Sequence, residues 1–439
     1  MSNLTVNRYR LYCNTESAYV YTWNTVLPTV CPNNNAHSID STTITVIDSA
    51  SNSNVNLTNV LQDPFQRLQV VNKTPIFEIK SIFGKSALRD IFTTTGSALI
   101  TNTIGTDAEY NLSVTDSSDG ATLTTAQRGV YLAGSSCEVG FGVRLPASVT
   151  GNQVITWGLT DGQDGYYFKL TSAGLSINML RNSVETSIAR TNWNIDKFDG
   201  TGISGLTLDL TKGNIFRILF TWYGYGIIDF GLVATDSTNT QKVFSLHRMQ
   251  PQAQTSTRTP NLPIKISISN NGTTATSNVY VAGRQYSVFG LISPTFRLNG
   301  AYVYNASVAN GSFSHALTIR KKSDFLGCAC LPTGLIGLCT VDALIEIRTN
   351  TTLTGGTFGN IPDQDANETA VEVNTTASAV SGGIVLWIGV LTAGSKENFV
   401  QNFSDINCAM VEQNNLTVLV KGFENGGNAT VTLRWREEW

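Results

Sequence analysis

The chain has 439 residues, of which 41% are hydrophobic and 14% charged, so it can form apolar cores and is not a disordered charged tail. Its polarity comes mainly from 131 Thr, Asn and Ser residues, and its formal net charge is −3. No long run of Lys or Arg is present to neutralise phosphates, which argues against nucleic-acid binding. The abundance of Thr, Val, Ile, Tyr and Phe favours strands over helices.

Residues 1–60 differ from the rest of the chain. Short β-prone pieces, Ala18–Trp23 and Thr42–Ile47, alternate with stretches rich in Asn and Ser. We predict an extended N-terminal arm or a small β unit that packs largely on other chains. Because the first residues lack the apolar segment of a signal peptide, we expect the seven cysteines to be reduced.

A central domain is predicted for residues 61–295. Short segments with alternating apolar residues recur there, separated by turn residues and without helical periodicity. This pattern is typical of serial antiparallel β-sandwiches or jelly rolls. The segments are Cys137–Leu145, Val154–Leu159, Tyr166–Leu170, Leu175–Leu180, Ile215–Trp222, Gly226–Val233 and Ile264–Ser269.

A C-terminal β domain is predicted for residues 296–439, where strand-like segments continue. The longest apolar run, Ile384–Leu391, is too short for a membrane helix, which needs about 20 residues, and predicts a buried strand. The pair Gly426-Gly427 predicts a hairpin loop. The whole chain is therefore expected to be all-β.

Histidines and cysteines offer few catalytic or metal-binding patterns. His37, His247 and His315 are far apart in sequence and lack metal-ligand spacing, so we interpret them as packing or surface residues. Cys328, Cys330 and Cys339 could bind zinc with Cys408 as the fourth ligand. Their spacing does not match paired C-x₂-C motifs, and the surrounding segment is apolar, which favours buried free thiols.

Two groups of aspartates resemble calcium or acid–base sites. Asp161 and Asp164 lie in an Asp-Gly-Gln-Asp-Gly sequence, and Asp-Gly is first of all a turn signal. Asp196, Asp199 and Asp209 lie among Gly200, Gly202 and Gly205. Since the three glycines allow tight turns that present N–H groups, we predict that backbone donors compensate these carboxylates, with Lys197/Lys212 and calcium as the competing hypotheses.

The second aspartate group belongs to a distinctive block, Trp193-Asn-Ile-Asp-Lys-Phe-Asp-Gly-Thr-Gly-Ile-Ser-Gly-Leu-Thr-Leu-Asp209, followed by Trp222-Tyr-Gly-Tyr-Gly226 and His247. The block resembles a family of virion structural proteins of tailed bacteriophages, with relatives in large DNA viruses. Asp63–Val70 is similar to the family's opening stretch, although Gln66 stands where family members often have Gly. The resemblance implies particle structure and leaves head or tail open.

The predicted function is a non-enzymatic structural component of a virus particle, without cofactor or metal. It would be a capsid decoration (cement) or a tail/baseplate subunit, located in the virion and assembled as a homotrimer with major capsid or tail proteins as partners. The alternative is a glycan-binding adhesin module that uses Tyr223, Tyr225 and the Asp161/Asp164 loop. A third hypothesis is a depolymerase with paired carboxylates.

Overall fold

The computed structural model describes residues 5–51, 73–235, 239–251, 253–290, 297–362, 364–394, 399–402, 410, 414–424 and 426–438. The predicted boundaries at 60/61 and 295/296 lie outside these residues, as do Asp63–Val70 and Cys408. The chain divides into two compact units, residues 1–61 and residues 62–439.

The first unit is a three-stranded antiparallel sheet. Its strands are β1 (Thr5–Cys13), β2 (Ala18–Asn24) and β3 (Ile39–Ser51), and β1 lies in the middle. A core of its own is present but very small. The residues buried in it are Tyr9, Leu11, Cys13, Val20 and Cys31. The described part of this region is thus a small sheet with a core of its own.

The second unit begins with a sandwich of two antiparallel sheets over residues 73–290. Its strands are β4 (Lys73–Ile79), β5 (Asp90–Thr95), β6 (Leu99–Thr101), β7 (Tyr110–Val114), β8 (Gly120–Thr125), β9 (Cys137–Arg144), β10 (Val154–Thr160), β11 (Gly165–Thr171), β12 (Gly174–Arg181), β13 (Val184–Ala189), β14 (Asn214–Phe220), β15 (Ile228–Thr235), β16 (Gln241–Met249), β17 (Ile264–Ser269) and β18 (Ser277–Phe289).

The two sheets of this sandwich share one core. One sheet has the order β13-β12-β11-β10-β17-β8-β5, and the other β16-β15-β14-β9-β18-β7-β6, with β4 also paired to β18. Side chains alternate between buried and half-buried along β9, as the period of a strand requires. At the centre, the ring of Phe168 lies 5.8 Å from that of Trp157 and 4.8 Å from that of Phe216. The prediction of an all-β sandwich is confirmed.

Residues 297–438 form a second pair of antiparallel sheets. Their orders are β19-β27-β21-β25 and β23-β20-β26-β22-β24. The strands are β19 (Arg297–Val308), β20 (Ser314–Lys321), β21 (Ala329–Cys339), β22 (Ala343–Thr354), β23 (Val371–Asn374), β24 (Ala379–Leu391), β25 (Phe399–Asn402), β26 (Asn415–Gly422) and β27 (Gly427–Glu438). A separate core between the sheets centres on the fully buried Trp435.

Two predictions about the C-terminal region are wrong. Ile384–Leu391 lies in β24, at the edge of its sheet, and the side chains of Val385, Ile388 and Val390 are exposed. Gly426-Gly427 does not form a hairpin, because β26 and β27 belong to different sheets. Both errors arise because apolar runs and glycines mark strands and turns without identifying the neighbouring strand.

Helical structure within the described ranges is limited to two 3-10 turns, Arg190–Asn192 and Ser323–Phe325. None of the helices in that part of the chain is long and apolar enough to span a membrane.

Candidate functional site

The aspartate loop, residues 193–213, connects the first 3-10 turn to β14 and extends the free edge of β16. The backbone N–H groups of Ile195 and Asp196 donate to the carbonyl of Leu246 at 3.2 and 3.0 Å. Asn194 donates through its backbone N–H to Nδ1 of His247 at 3.0 Å, and its side-chain oxygen accepts from the N–H of Arg248 at 2.9 Å. These hydrogen bonds attach the loop to the edge of the sheet.

His247 serves this attachment. Its Nδ1 accepts the Asn194 hydrogen bond and therefore carries no proton, and burial lowers the pKa of His247, which also favours the neutral ring. The sequence interpretation of a packing histidine agrees with this position.

Asp196 organises the interior of the loop. Its side chain is buried, and its two oxygens accept from the backbone N–H groups of Phe198 at 2.8 Å and Ser204 at 2.7 Å. A β-carbon at Gly202 would overlap the Asp196 carboxylate, so only glycine fits beside it. Gly200 and Gly205 have φ values of +87° and +66°, which glycine adopts without strain. This carboxylate satisfies N–H groups that an irregular loop would otherwise leave unpaired.

Asp199 and Asp209 act differently from Asp196 because both lie at the surface. Asp199 accepts from the hydroxyl of Thr201 at 2.6 Å and from its N–H at 2.9 Å, and Asp209 accepts from the hydroxyl of Thr211 at 2.6 Å and its N–H at 3.0 Å. These hydrogen bonds lower the pKa of both carboxyls, and the bond from the threonine hydroxyl has the largest effect. Asp199 and Asp209 therefore each close a local turn with their own side chain.

Aromatic residues hold the loop against the sandwich. Trp193 and Phe198 are buried in the main core, and Phe198 packs edge-on against Phe244 at 5.6 Å between ring centroids. Arg190 donates to the carbonyl oxygens of Lys197, at 2.6 Å, and of Phe198. Phe198 has a φ of +50°, so these contacts hold a non-glycine residue in the left-handed region.

Trp222 lies away from the aspartate loop. The loop precedes β14 and Trp222 follows it, so the seven residues of that strand separate them by roughly 20 Å. Trp222 donates through Nε1 to the hydroxyl of Thr257 at 3.1 Å and packs edge-on against Tyr131. The structure therefore does not bring the eight predicted motif residues into one site.

The residues of the glycan-binding hypothesis are only partly accessible. Tyr223 and Tyr225 are 45% and 54% exposed. Asp164 is buried and pairs with Arg258, whose Nη2 lies 2.8 Å from Oδ2. Asp161 accepts from Arg128 at 3.2 Å and from the backbone N–H of Asp164 at 2.8 Å. The two aspartates are engaged in a turn and in ion pairs.

Two of the three cysteines in the C-terminal core are close together, but the described residues there do not form a cluster of metal ligands. Cys328, Cys330 and Cys339 are buried free thiols, and the Cys328 and Cys330 sulfurs are 3.9 Å apart. Across the described ranges, one group of three or more potential metal ligands converges, and it contains neither these thiols nor the aspartates of the loop.

That group lies in the first unit and consists of Cys13, Glu16, Cys31 and His37. Sequence reasoning missed it because the four residues are spread over 25 positions and lack a paired motif. The available signal was the presence of two cysteines and a histidine in a segment too short to form a large core.

Comparisons with known proteins identify no family. No family model matches the chain, and no curated protein matches it.

Solved structures give weak matches. A protein of unknown function from Shewanella oneidensis MR-1 aligns with 11% identity and a TM-score of 0.32 over 54% of this chain and 98% of that chain. Peanut lectin aligns with 7% identity and a TM-score of 0.29, over 49% and 98% of the two chains. Arcelin-5, a lectin-like defence protein from Phaseolus vulgaris, aligns with 9% identity and a TM-score of 0.30, over 49% and 99%.

Proposed function

We propose that the protein is a non-enzymatic structural subunit of a virus particle, either a capsid decoration or a tail/baseplate component, that assembles with copies of itself as a homotrimer. The sequence block from Trp193 to Asp209 resembles virion structural proteins, and this resemblance is the reason for proposing a virion role. The aspartates that could suggest catalysis or metal binding are engaged in the loop itself, which supports a structural use of the block.

The observation that carries the assembly role is the free edge strand β24. Its 13 residues contain no charged side chain and no proline, and β22 is its one strand partner within the described residues. Soluble monomers usually protect such edges with charges, prolines or bulges, because unpaired N–H and C=O groups recruit other strands. β24 has one bulge, beside Leu386, and otherwise remains long and apolar.

Three exposed apolar residues of β24 share one face. Val385, Ile388 and Val390 are 42%, 53% and 53% exposed. Their partners on β22 are Arg348, Glu346 and Leu344, which alternate along that strand and therefore point to one side of the sheet. The opposite side carries the buried core residues of β22. A row of exposed apolar side chains beside an open edge is a typical protein-interaction surface.

The first unit has a second apolar face. Tyr19, Tyr21 and Trp23 alternate along β2 and are 49%, 52% and 49% exposed. Alternate residues of a strand lie on one side of the sheet, so the three rings share one face, where Arg8 and Arg10 of β1 lie over the rings of Tyr21 and Tyr19. Aromatic residues are enriched at protein interfaces, which favours the prediction that this unit packs on other chains.

The test is incorporation into particles. The full-length chain and an Ile388→Lys/Val390→Lys variant would each be expressed during infection by the virus that encodes the chain, and gradient-purified particles would be probed by immunoblot. We expect the wild type in the particle fraction and at least about a tenfold loss for the variant, because lysines are typical edge blockers.

Ile203→Lys is the matched control, since Ile203 is 90% exposed on the aspartate loop, which belongs to the sandwich of residues 73–290 and not to the sheet that contains β24. It should be incorporated normally. A wild-type chain that stays in the soluble fraction of the lysate would refute the particle role, and a double variant that is incorporated like the wild type would refute the role of β24.

The exposure of Tyr223 and Tyr225 favours the second candidate function, glycan binding. If this role is real, the wild-type chain should bind one class of glycan on an array, and Tyr225→Ala should reduce that binding. Binding that is unaffected by this substitution would exclude Tyr225 from the platform.

A further inference from the structure

Four potential metal ligands gather at one end of the three-stranded sheet in the first unit. Cys13 ends β1, Glu16 lies in the turn between β1 and β2, and Cys31 and His37 lie in the segment between β2 and β3. One ligand atom from each residue lies within 4.8 Å of all the others. The strand pairing creates this meeting point, because Cys13 is paired with Ile39, two residues after His37.

The distances within this cluster fit a tetrahedral ion. The Cys13 sulfur lies 3.8 Å from Nδ1 of His37, and the Cys31 sulfur lies 3.9 Å from Oε1 of Glu16. The same Oε1 lies 3.0 Å from Nδ1 of His37. A zinc ion bound at about 2.3 Å by sulfur and about 2.0–2.2 Å by nitrogen and oxygen requires ligand separations of roughly 3.3–3.8 Å. Only small shifts separate the observed arrangement from that geometry.

The surroundings of the cluster resemble those of structural metal sites. Both cysteines are fully buried, whereas the side chains of His37 and Glu16 are 25% and 27% exposed, which provides an entry path from solvent. Asn33 donates through Nδ2 to the other Glu16 oxygen at 2.8 Å and so orients the carboxylate. Such outer hydrogen bonds are characteristic of metal ligands.

The size of the unit gives an independent reason for an ion. Its core has five buried residues, and two of these are Cys13 and Cys31 themselves. Residues 25–38, which carry Cys31, His37 and Asn33, contain no strand. Small domains with so few core residues are commonly stabilised by a disulfide or a metal.

We propose that Cys13, Cys31, His37 and Glu16 bind one Zn²⁺ ion that stabilises the first unit. The two cysteines bind as thiolates and release two protons to solvent, neutral His37 binds through Nδ1, and Glu16 binds through Oε1. Two thiolates and an imidazole favour zinc over calcium or magnesium. With four protein ligands the site is closed, so its role is structural and independent of the proposed particle function.

The test measures the metal content of the full-length chain. The protein would be purified under a phosphine reductant, incubated with Zn²⁺ and dialysed. Its zinc content would then be measured by elemental mass spectrometry. We expect about one zinc per chain for the wild type and a small fraction of that for Cys31→Ser and His37→Ala, because each removes a ligand. Substitution with Co²⁺ should give the visible spectrum of a tetrahedral thiolate site.

Cys339→Ala is the matched control, because Cys339 is a buried free thiol of the C-terminal core. It should retain the zinc, and circular dichroism of each variant should show that the sandwich remains folded. Wild-type protein that binds no zinc under reductant would overturn the proposal, as would zinc binding that survives both ligand substitutions. A Cys13–Cys31 disulfide that forms in air, together with no zinc binding under reductant, would identify a covalent bridge instead.

Discussion

The aspartate loop and the cluster in the first unit both concentrate side chains that can bind metals, yet their geometries differ. In the loop, Asp196 accepts two backbone N–H groups, while Asp199 and Asp209 each bond to a nearby threonine. In the cluster, Cys13 and Cys31 converge with a histidine and a carboxylate from separate segments. The aspartates are close in sequence and form local turns, whereas strand pairing brings the four residues of the cluster together as a potential ligand shell.

The largest expected effect concerns metal removal from the first unit. Hydrogen–deuterium exchange of the full-length chain, under reductant, should become about tenfold or more faster in β1–β3 when zinc is removed by a chelator, because metal binding contributes folding free energy. Peptides from β9 in the sandwich should be unaffected. Unchanged protection of β1–β3 after complete zinc removal would mean that the unit does not depend on an ion.

The next effect distinguishes the buried aspartate from the exposed ones. Asp196→Ala should destabilise the sandwich by about 2–4 kcal/mol because it leaves two backbone N–H groups without an acceptor, whereas Asp199→Ala, at the surface, should cost much less. Urea unfolding followed by tryptophan fluorescence measures both. Equal costs would show that the loop does not depend on the Asp196 carboxylate in particular. Asp196 is thus the one buried member of the three aspartates that the sequence grouped together.

The smallest effect is a pH dependence at the loop surface. The pKa values of Asp199 and Asp209 are lowered in the folded chain from an ordinary 3.8, so their contribution to stability is present above that pH and is lost as the pH falls through the folded values. The melting temperature of an Asp199→Asn/Asp209→Asn variant should therefore differ from that of the wild type near neutral pH. This difference should shrink below about pH 4. A difference that stays constant down to about pH 3 would contradict the charge-dependent role.

Local patterns predicted the strands of this protein well. Ile264–Ser269 was predicted and found with the same limits, and Cys137–Leu145 differs from β9 by one residue. The aspartate loop was also interpretable from sequence, because hydrogen bonds between residues two to eight apart depend on local chain geometry. Period-2 alternation and turn chemistry act over a few residues, so they can be recognised without knowing which strands pair.

The sequence by itself determined that this chain is all-β, that its sandwiches form apolar cores, and that glycine and aspartate shape the irregular loop. Only the tertiary structure decided that β24 lies at a sheet edge and that β26 and β27 belong to different sheets. It also decided that Cys13, Glu16, Cys31 and His37 meet. The physical reason is that strand order and register depend on pairing between residues far apart in the sequence. Local periodicity shows which face of a strand is apolar, but it does not identify the neighbouring strand.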